Sequence, residues 1–240
     1  MASSEHLRST CSHCSAKFRF PTRLLGRDAS CPRCGETVVL FSDGVRAVAA
    51  FYDDVLQEYY DQVTASAERS GVKRKRTWKL ECGSYLLFVL DFTMTRVNVD
   101  DHVAQQIVSL CHRVTNLLDN KQVTRLLQAR LEQYGVLSRK ATDMGDLSVR
   151  CNASLFQHLL RATDDVESSP LRDQPMAGIG AFAAFESRST LSVCEVCVVV
   201  PFAAAIVHLF RTITNVSHTD FDTVEAQLEK GWENAQRHRL

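Results

Sequence analysis

The chain has no excess of either charge: 28 lysines and arginines face 28 aspartates and glutamates. No global field therefore steers it towards nucleic acid or anionic lipid, and charged partners have to be sought at local patches. It also lacks a phosphate-binding glycine loop, an HExxH helix, a nucleophile elbow and a kinase signature, which removes the readily recognised enzyme classes without excluding enzymes in general. No low-complexity tract or internal repeat is visible. The opening residues, MASSEHLRSTCSHC, contain no apolar h-region, so a secretory signal is not expected and a cytoplasmic setting is.

What remains is a chain of 240 residues, 45% of them apolar, with room for one medium domain and a small appendage. Nine cysteines are many for a reducing compartment unless some bind metal. Four do so by spacing: Cys11-Ser-His-Cys14, sixteen intervening residues, then Cys31-Pro-Arg-Cys34-Gly35. Two close thiol pairs on turns deliver a tetrahedron of sulfurs with little backbone, and a shell filled by four thiolates leaves no position for a reacting water. The expected cofactor is one structural Zn2+ held by Cys11, Cys14, Cys31 and Cys34, with His13 left at the surface. Gly35 is placed to take positive φ while amides turn towards sulfur. Lys17–Pro21 and Thr37–Phe41 read as the strands leaving the two turns. With Phe18, Phe20, Pro21, Gly26 and the CPxCG run, the segment resembles a zinc-ribbon family found at the N-termini of otherwise unrelated bacterial proteins. The resemblance covers about thirty residues and implies a ribbon fold and an accessory role; it carries over no catalytic residue.

Inside residues 11 to 35, Lys17, Arg19, Arg23, Arg27 and Arg33 oppose only Asp28, a side-chain charge of +4 that a tetrathiolate zinc centre reduces by about 2. A second basic run, Lys73, Arg74, Lys75, Arg76 and Lys79 around Trp78, is the densest in the chain. It reads as a solvated linker or a charge-protected edge strand. Arg19, Arg23, Arg27, Arg33 and this run are also the residues through which a polyanion would be held.

Past Ser42-Asp43-Gly44, which can cap a helix, Val45, Val48, Ala49, Tyr52, Val55, Leu56, Tyr59 and Val63 recur at helical spacing and form a core-facing stripe. Ser84–Phe92 is almost continuously apolar and suits a buried strand or the middle of a helix from Lys79. Two helices follow, one from Asp100 or Asp101 through Leu118 and one through Tyr134 that Gly135 is placed to stop. Residues 138–150 read as a polar loop or lid, Ala153–Val166 as a helix, and 168–175, with two prolines, as a break that can divide the body. The apolar run 193–210 fits a central core helix better than a membrane span, and Phe221, Val224, Leu228 and Trp232 mark a helix that would cover it. Cys194 and Cys197 form a third CxxC whose valine-rich setting points to buried, inert thiols; with Cys151 and His158 or His208 the pair could otherwise hold a metal.

The expected fold is mainly α: a zinc ribbon over 1–41 and a bundle-like helical domain over 42–240. The expected function is accessory or regulatory binding of another protein. Nucleic-acid or polyanion binding, and a metal- or thiol-dependent enzyme in the helical domain, are the alternatives.

Overall fold

The protein is represented by a computed structural model that describes residues 6–69, 77–114, 121–160 and 195–237. The order is β1 (His6–Thr10), β2 (Lys17–Pro21), a short 3-10 turn, β3 (Asp28–Ser30), β4 (Thr37–Val39), then helices α1 (Asp43–Arg69), α2 (Trp78–Arg96), α3 (Asp101–Val114), α4 (Lys121–Lys140), α5 (Met144–Leu160), α6 (Val200–Thr212) and α7 (Phe221–Arg237). The fold is mainly α with a small N-terminal β region, as the sequence leads one to expect. Basic residues Lys73–Arg76, the break at 168–175 and Cys194 lie outside the described residues. The chain forms two compact units, one of residues 1–54, 90–116 and 201–240, the other of 55–89 and 117–200.

In the first unit the ribbon is joined to helices by its own backbone. Ser42 caps α1 by accepting the Val45 amide on its hydroxyl at 3.2 Å, and Arg46, one turn later, donates to the Val39 carbonyl at 2.9 Å. The α1 stripe is buried along its whole length, Val45, Val48, Ala49 and Tyr52 in this unit and Val55, Leu56, Tyr59 and Val63 in the second. At about 1.5–3 kcal/mol for a large apolar side chain, such burial outweighs helix propensities of a few tenths. Phe51 stacks edge-on against Trp232 at 5.7 Å and lies 5.9 Å from Phe202, so α6 and α7 complete this core. Pro201 directly follows the π-helical turn Glu195–Val199 that runs into α6, and Phe202, Ala205, Ile206 and Leu209 are buried. Among the described residues no helix is long and apolar enough to cross a membrane.

Gly44, in the first turn of α1, abuts the Val216 and Thr219 carbonyls of the α6–α7 connection; an added Cβ would strike Val216 O and lie 3.2 Å from Thr219 O. Backbone cannot swing aside as a side chain can. Gly44→Ala should therefore cost about 1–3 kcal/mol and lower the melting temperature by several degrees, about 2–4 °C per kcal/mol for a chain of this size, read by a thermal melt followed in the far ultraviolet.

Helix α2, which lies in the second unit up to Val89 and in the first from Leu90, settles the ambiguity at Ser84–Phe92 in favour of helix. Residues Leu80, Cys82, Ser84, Tyr85, Leu86, Leu87, Phe88 and Leu90 are all buried, so this helix is covered nearly all round and shows no amphipathic period. Trp78 opens it from a fully buried position, its indole N–H donating to the Leu159 carbonyl at 2.9 Å. The edge strand expected around Lys79 is thus a helix start. Two further expectations are corrected. Gly135 does not stop α4, which runs on to Lys140. Nor is 138–150 a loop, because α5 begins at Met144. Asp143 and Asp146 explain that early start: the Asp146 amide donates to Asp143 Oδ1 at 2.9 Å while Asp146 Oδ2 accepts the Thr142 amide at 3.0 Å, a reciprocal cap. The helix read from Ala153 thus begins nine residues earlier.

At the centre of the second unit, Arg130 of α4 grips Glu81 of α2 through Nε and Nη2 at 2.7 and 2.9 Å, with side chains 9% and 4% exposed. Tyr134, one turn along α4, is fully buried beside Tyr85 and Phe88 at centroid separations of 5.5 and 5.4 Å.

Candidate metal centre

The four strands form two antiparallel hairpins, β1 with β2 and β3 with β4, and each hairpin turn is one CxxC pair. Thr10 faces Lys17 across residues 11–16, and Ser30 faces Thr37 across residues 31–36. The same hydrogen bonds close both turns. The Cys11 amide donates to Ala16 O at 3.0 Å and the Cys31 amide to Glu36 O at 2.8 Å; the Ser15 amide donates to Cys11 O at 3.0 Å and the Gly35 amide to Cys31 O at 2.9 Å. The amides of His13 and Arg33 point at Cys11 Sγ and Cys31 Sγ, both at 3.4 Å. Residues 15 and 35 both have positive φ, 56° at the serine and 76° at the glycine. The ribbon is therefore built on a structural repeat in which 11, 14 and 15 correspond to 31, 34 and 35. The sequence hides it, because a serine stands where only the second copy has the expected glycine.

All four sulfurs lie within 4.8 Å of one another, with Cys11 Sγ to Cys34 Sγ and Cys14 Sγ to Cys31 Sγ both 3.8 Å. A tetrahedron whose metal–sulfur bonds are about 2.3 Å has edges of about 3.8 Å, so the four thiols are spaced to hold one thiophilic ion. Among the described residues this is the one group of three or more histidines, cysteines or carboxylates gathered closely enough to do so. The thiols do not titrate alike. The Cys34 and Arg33 amides hold Cys31 down to about 6. At Cys34 the Glu36 amide pulls downward, but desolvation and the thiols of Cys14, Cys31 and Cys11 outweigh it and push the group up to about 12. Four thiolates repel one another at this spacing, and a divalent cation relieves that repulsion.

Leu7, Phe20, Leu25, Val38, Leu40 and Phe41 bury the inner faces of the hairpins. Gly26, at φ 79°, runs against Gln106 of α3, whose Oε1 would lie 2.6 Å from an added Cβ. His13 is exposed, as expected, and so are Lys17, Arg19, Arg23, Arg27 and Arg33. Lys79, on α2 in the second unit, donates to Gln57 Oε1 at 3.0 Å.

The other cysteines do not form a second centre among the described residues. Cys82, Cys111 and Cys151 are buried, and burial pushes the Cys111 thiol up, with the Asp53 carboxylate adding to the effect. A thiol so disposed is protonated and unreactive. Cys197 is half-buried in a π-helical turn before α6. His158 is engaged by Gln133 Oε1 at 3.0 Å, and His208 by Gln227 Oε1 at 3.0 Å. A polar cleft of about 310 Å³ in the first unit, lined by Asn98, Asp100, His102 and His218 among others, contains no cysteine. Its Asp100 is engaged as the cap of α3, accepting the His102 and Val103 amides on Oδ1 at 3.0 and 3.2 Å.

No protein-family model, curated protein or solved structure matches the chain.

Proposed function

We propose that the chain is an accessory or regulatory binding protein whose ribbon is folded by one structural zinc ion and presented to another protein. The observation that carries this reading is the closed all-sulfur set, with two sulfur–sulfur edges of 3.8 Å, all four sulfurs within 4.8 Å of one another, and an amide aimed at Cys11 and another at Cys31. Four thiolates fill a tetrahedral shell, so such an ion organises backbone and activates no water. The spacing also favours zinc over harder cations, which take oxygen ligands. A small module that carries exposed cations and whose larger apolar residues are buried supports recognition by surface charge rather than by a substrate pocket.

Elemental mass spectrometry of the purified full-length chain should find one zinc per molecule, and none in the C31S/C34S variant. Two in the natural chain and one in the variant would place a further site in the helical body and overturn the accessory reading in favour of an enzyme. The protein-binding half is tested by capture on the zinc-loaded chain and on the C31S/C34S variant: partners retained equally by both would sink the ribbon as the presented surface.

A further inference from the structure

The alternation of side chains along a strand sorts the first hairpin into two faces. Leu7, Ser9 and Phe20 point inward and are buried, with Phe18 half-covered. The outer face carries His6, Arg8 and Thr10 from β1, and Lys17, Arg19 and Pro21 from β2. In register His6 lies opposite Pro21, Arg8 opposite Arg19, and Thr10 opposite Lys17. His6, Arg8, Lys17 and Arg19 are all exposed.

Two arginines directly opposite one another across a ladder repel, a destabilising arrangement that any neutral residue at either position would remove. The fold offsets only part of it: Asp220, just before α7, places Oδ1 2.8 Å from Arg8 Nη1 in a pair more than half exposed on both sides. Asp220 shows that a carboxylate can seat on this face, and it leaves Lys17 and Arg19 without a carboxylate partner among the described residues.

Resting on the protein-binding reading, we propose that this outer face of the β1–β2 hairpin docks an acidic polypeptide segment in extended conformation. Lys17 and Arg19 are two residues apart on one strand, a separation of about 7 Å, which matches carboxylates on alternate residues of an extended partner. Charge complementarity of this kind sets encounter rate and register. A nucleic-acid duplex is the poorer fit. It presents a phosphate charge about every 1.7 Å, and here it would lie across the Asp220 carboxylate at one side and the thiolate cluster, carrying about −2 with its zinc, at the hairpin tip.

The test uses the full-length zinc-loaded protein and fluorescence anisotropy with two probes, a short labelled poly-glutamate peptide and a short labelled DNA duplex. The peptide should bind and weaken as salt rises. K17E/R19E should bind it at least about tenfold more weakly, K17Q/R19Q should fall between, and R139E/K140E on α4 should match the natural chain. Zinc content and melting temperature of each variant confirm that the ribbon is intact. Peptide binding indifferent to K17E/R19E, or equally lost in R139E/K140E, overturns the surface. Tighter binding of the duplex through Lys17 and Arg19 overturns the surface's assigned partner and the protein-binding reading together. No binding of either probe overturns the docking surface alone, since partner capture by the zinc-loaded chain judges the wider reading independently.

Discussion

Stripping the metal of the four-cysteine site with a strong chelator, or replacing Cys31 and Cys34 by serine, is expected to melt both hairpins. Structural zinc sites in small modules contribute about 10–16 kcal/mol of apparent binding energy at neutral pH, far beyond what strands of five and three residues supply alone. The loss should spread inward, because Leu7, Phe20, Val38 and Leu40 are buried only while the hairpins stand. Hydrogen exchange should show amides of β1 to β4 losing protection first, with α4 and α5 of the second unit keeping theirs. Equal loss in both units would mean that the ion stabilises the whole chain, and unchanged protection in the hairpins would remove zinc as their organiser.

The second large effect lies in the other unit. Arg130→Ala should destabilise the protein by about 3–5 kcal/mol, because it strands the Glu81 carboxylate in the core. Glu81 accepts both guanidinium bonds and stands near Tyr134, whose hydroxyl burial and that carboxylate hold firmly protonated. Removing both charges is a different matter: E81L/R130M should recover most of the loss, since an apolar pair of similar volume avoids desolvation altogether. Urea unfolding of the single and double variants measures the difference. A double variant no better than the sum of the two singles would show that Arg130 and Glu81 are not energetically coupled, and would sink the stranded-carboxylate account.

Much of this was legible in the sequence where a signal is local. The two CxxC pairs, the cap at Ser42, the stripe from Val45 to Val63 and the positive φ of Gly35 each depend on residues a few positions apart. Other features escaped for identifiable reasons. Strand β1 has one apolar residue, Leu7, so alternation has nothing to alternate with. Ser15 adopts a conformation usually given to glycine and so masks the repeat. Helix α2 is buried on nearly every side and loses the period that marks a helix at a surface. Gly135 costs α4 roughly 1 kcal/mol as an interior glycine, yet the helix runs on through it to Lys140, so a glycine at the end of an apolar period is no certain stop. The pairing of Glu81 with Arg130 spans 49 positions, and no pattern along the chain announces it.

The discontinuous first unit has a consequence in time. Its hairpins close through turns of six residues, 11–16 and 31–36, and such loops form in well under a microsecond, so the thiols can gather an ion almost as soon as they emerge. Arg8 and Asp220, by contrast, are 212 positions apart. At a synthesis rate of about 5–20 residues per second, the ribbon waits on the order of ten to forty seconds for α6 and α7 to reach it. Through that interval Phe51 stands without Phe202 and Trp232, the rings that will cover it, and a nascent chain in that state is a client for whatever shields apolar surface at the ribosome.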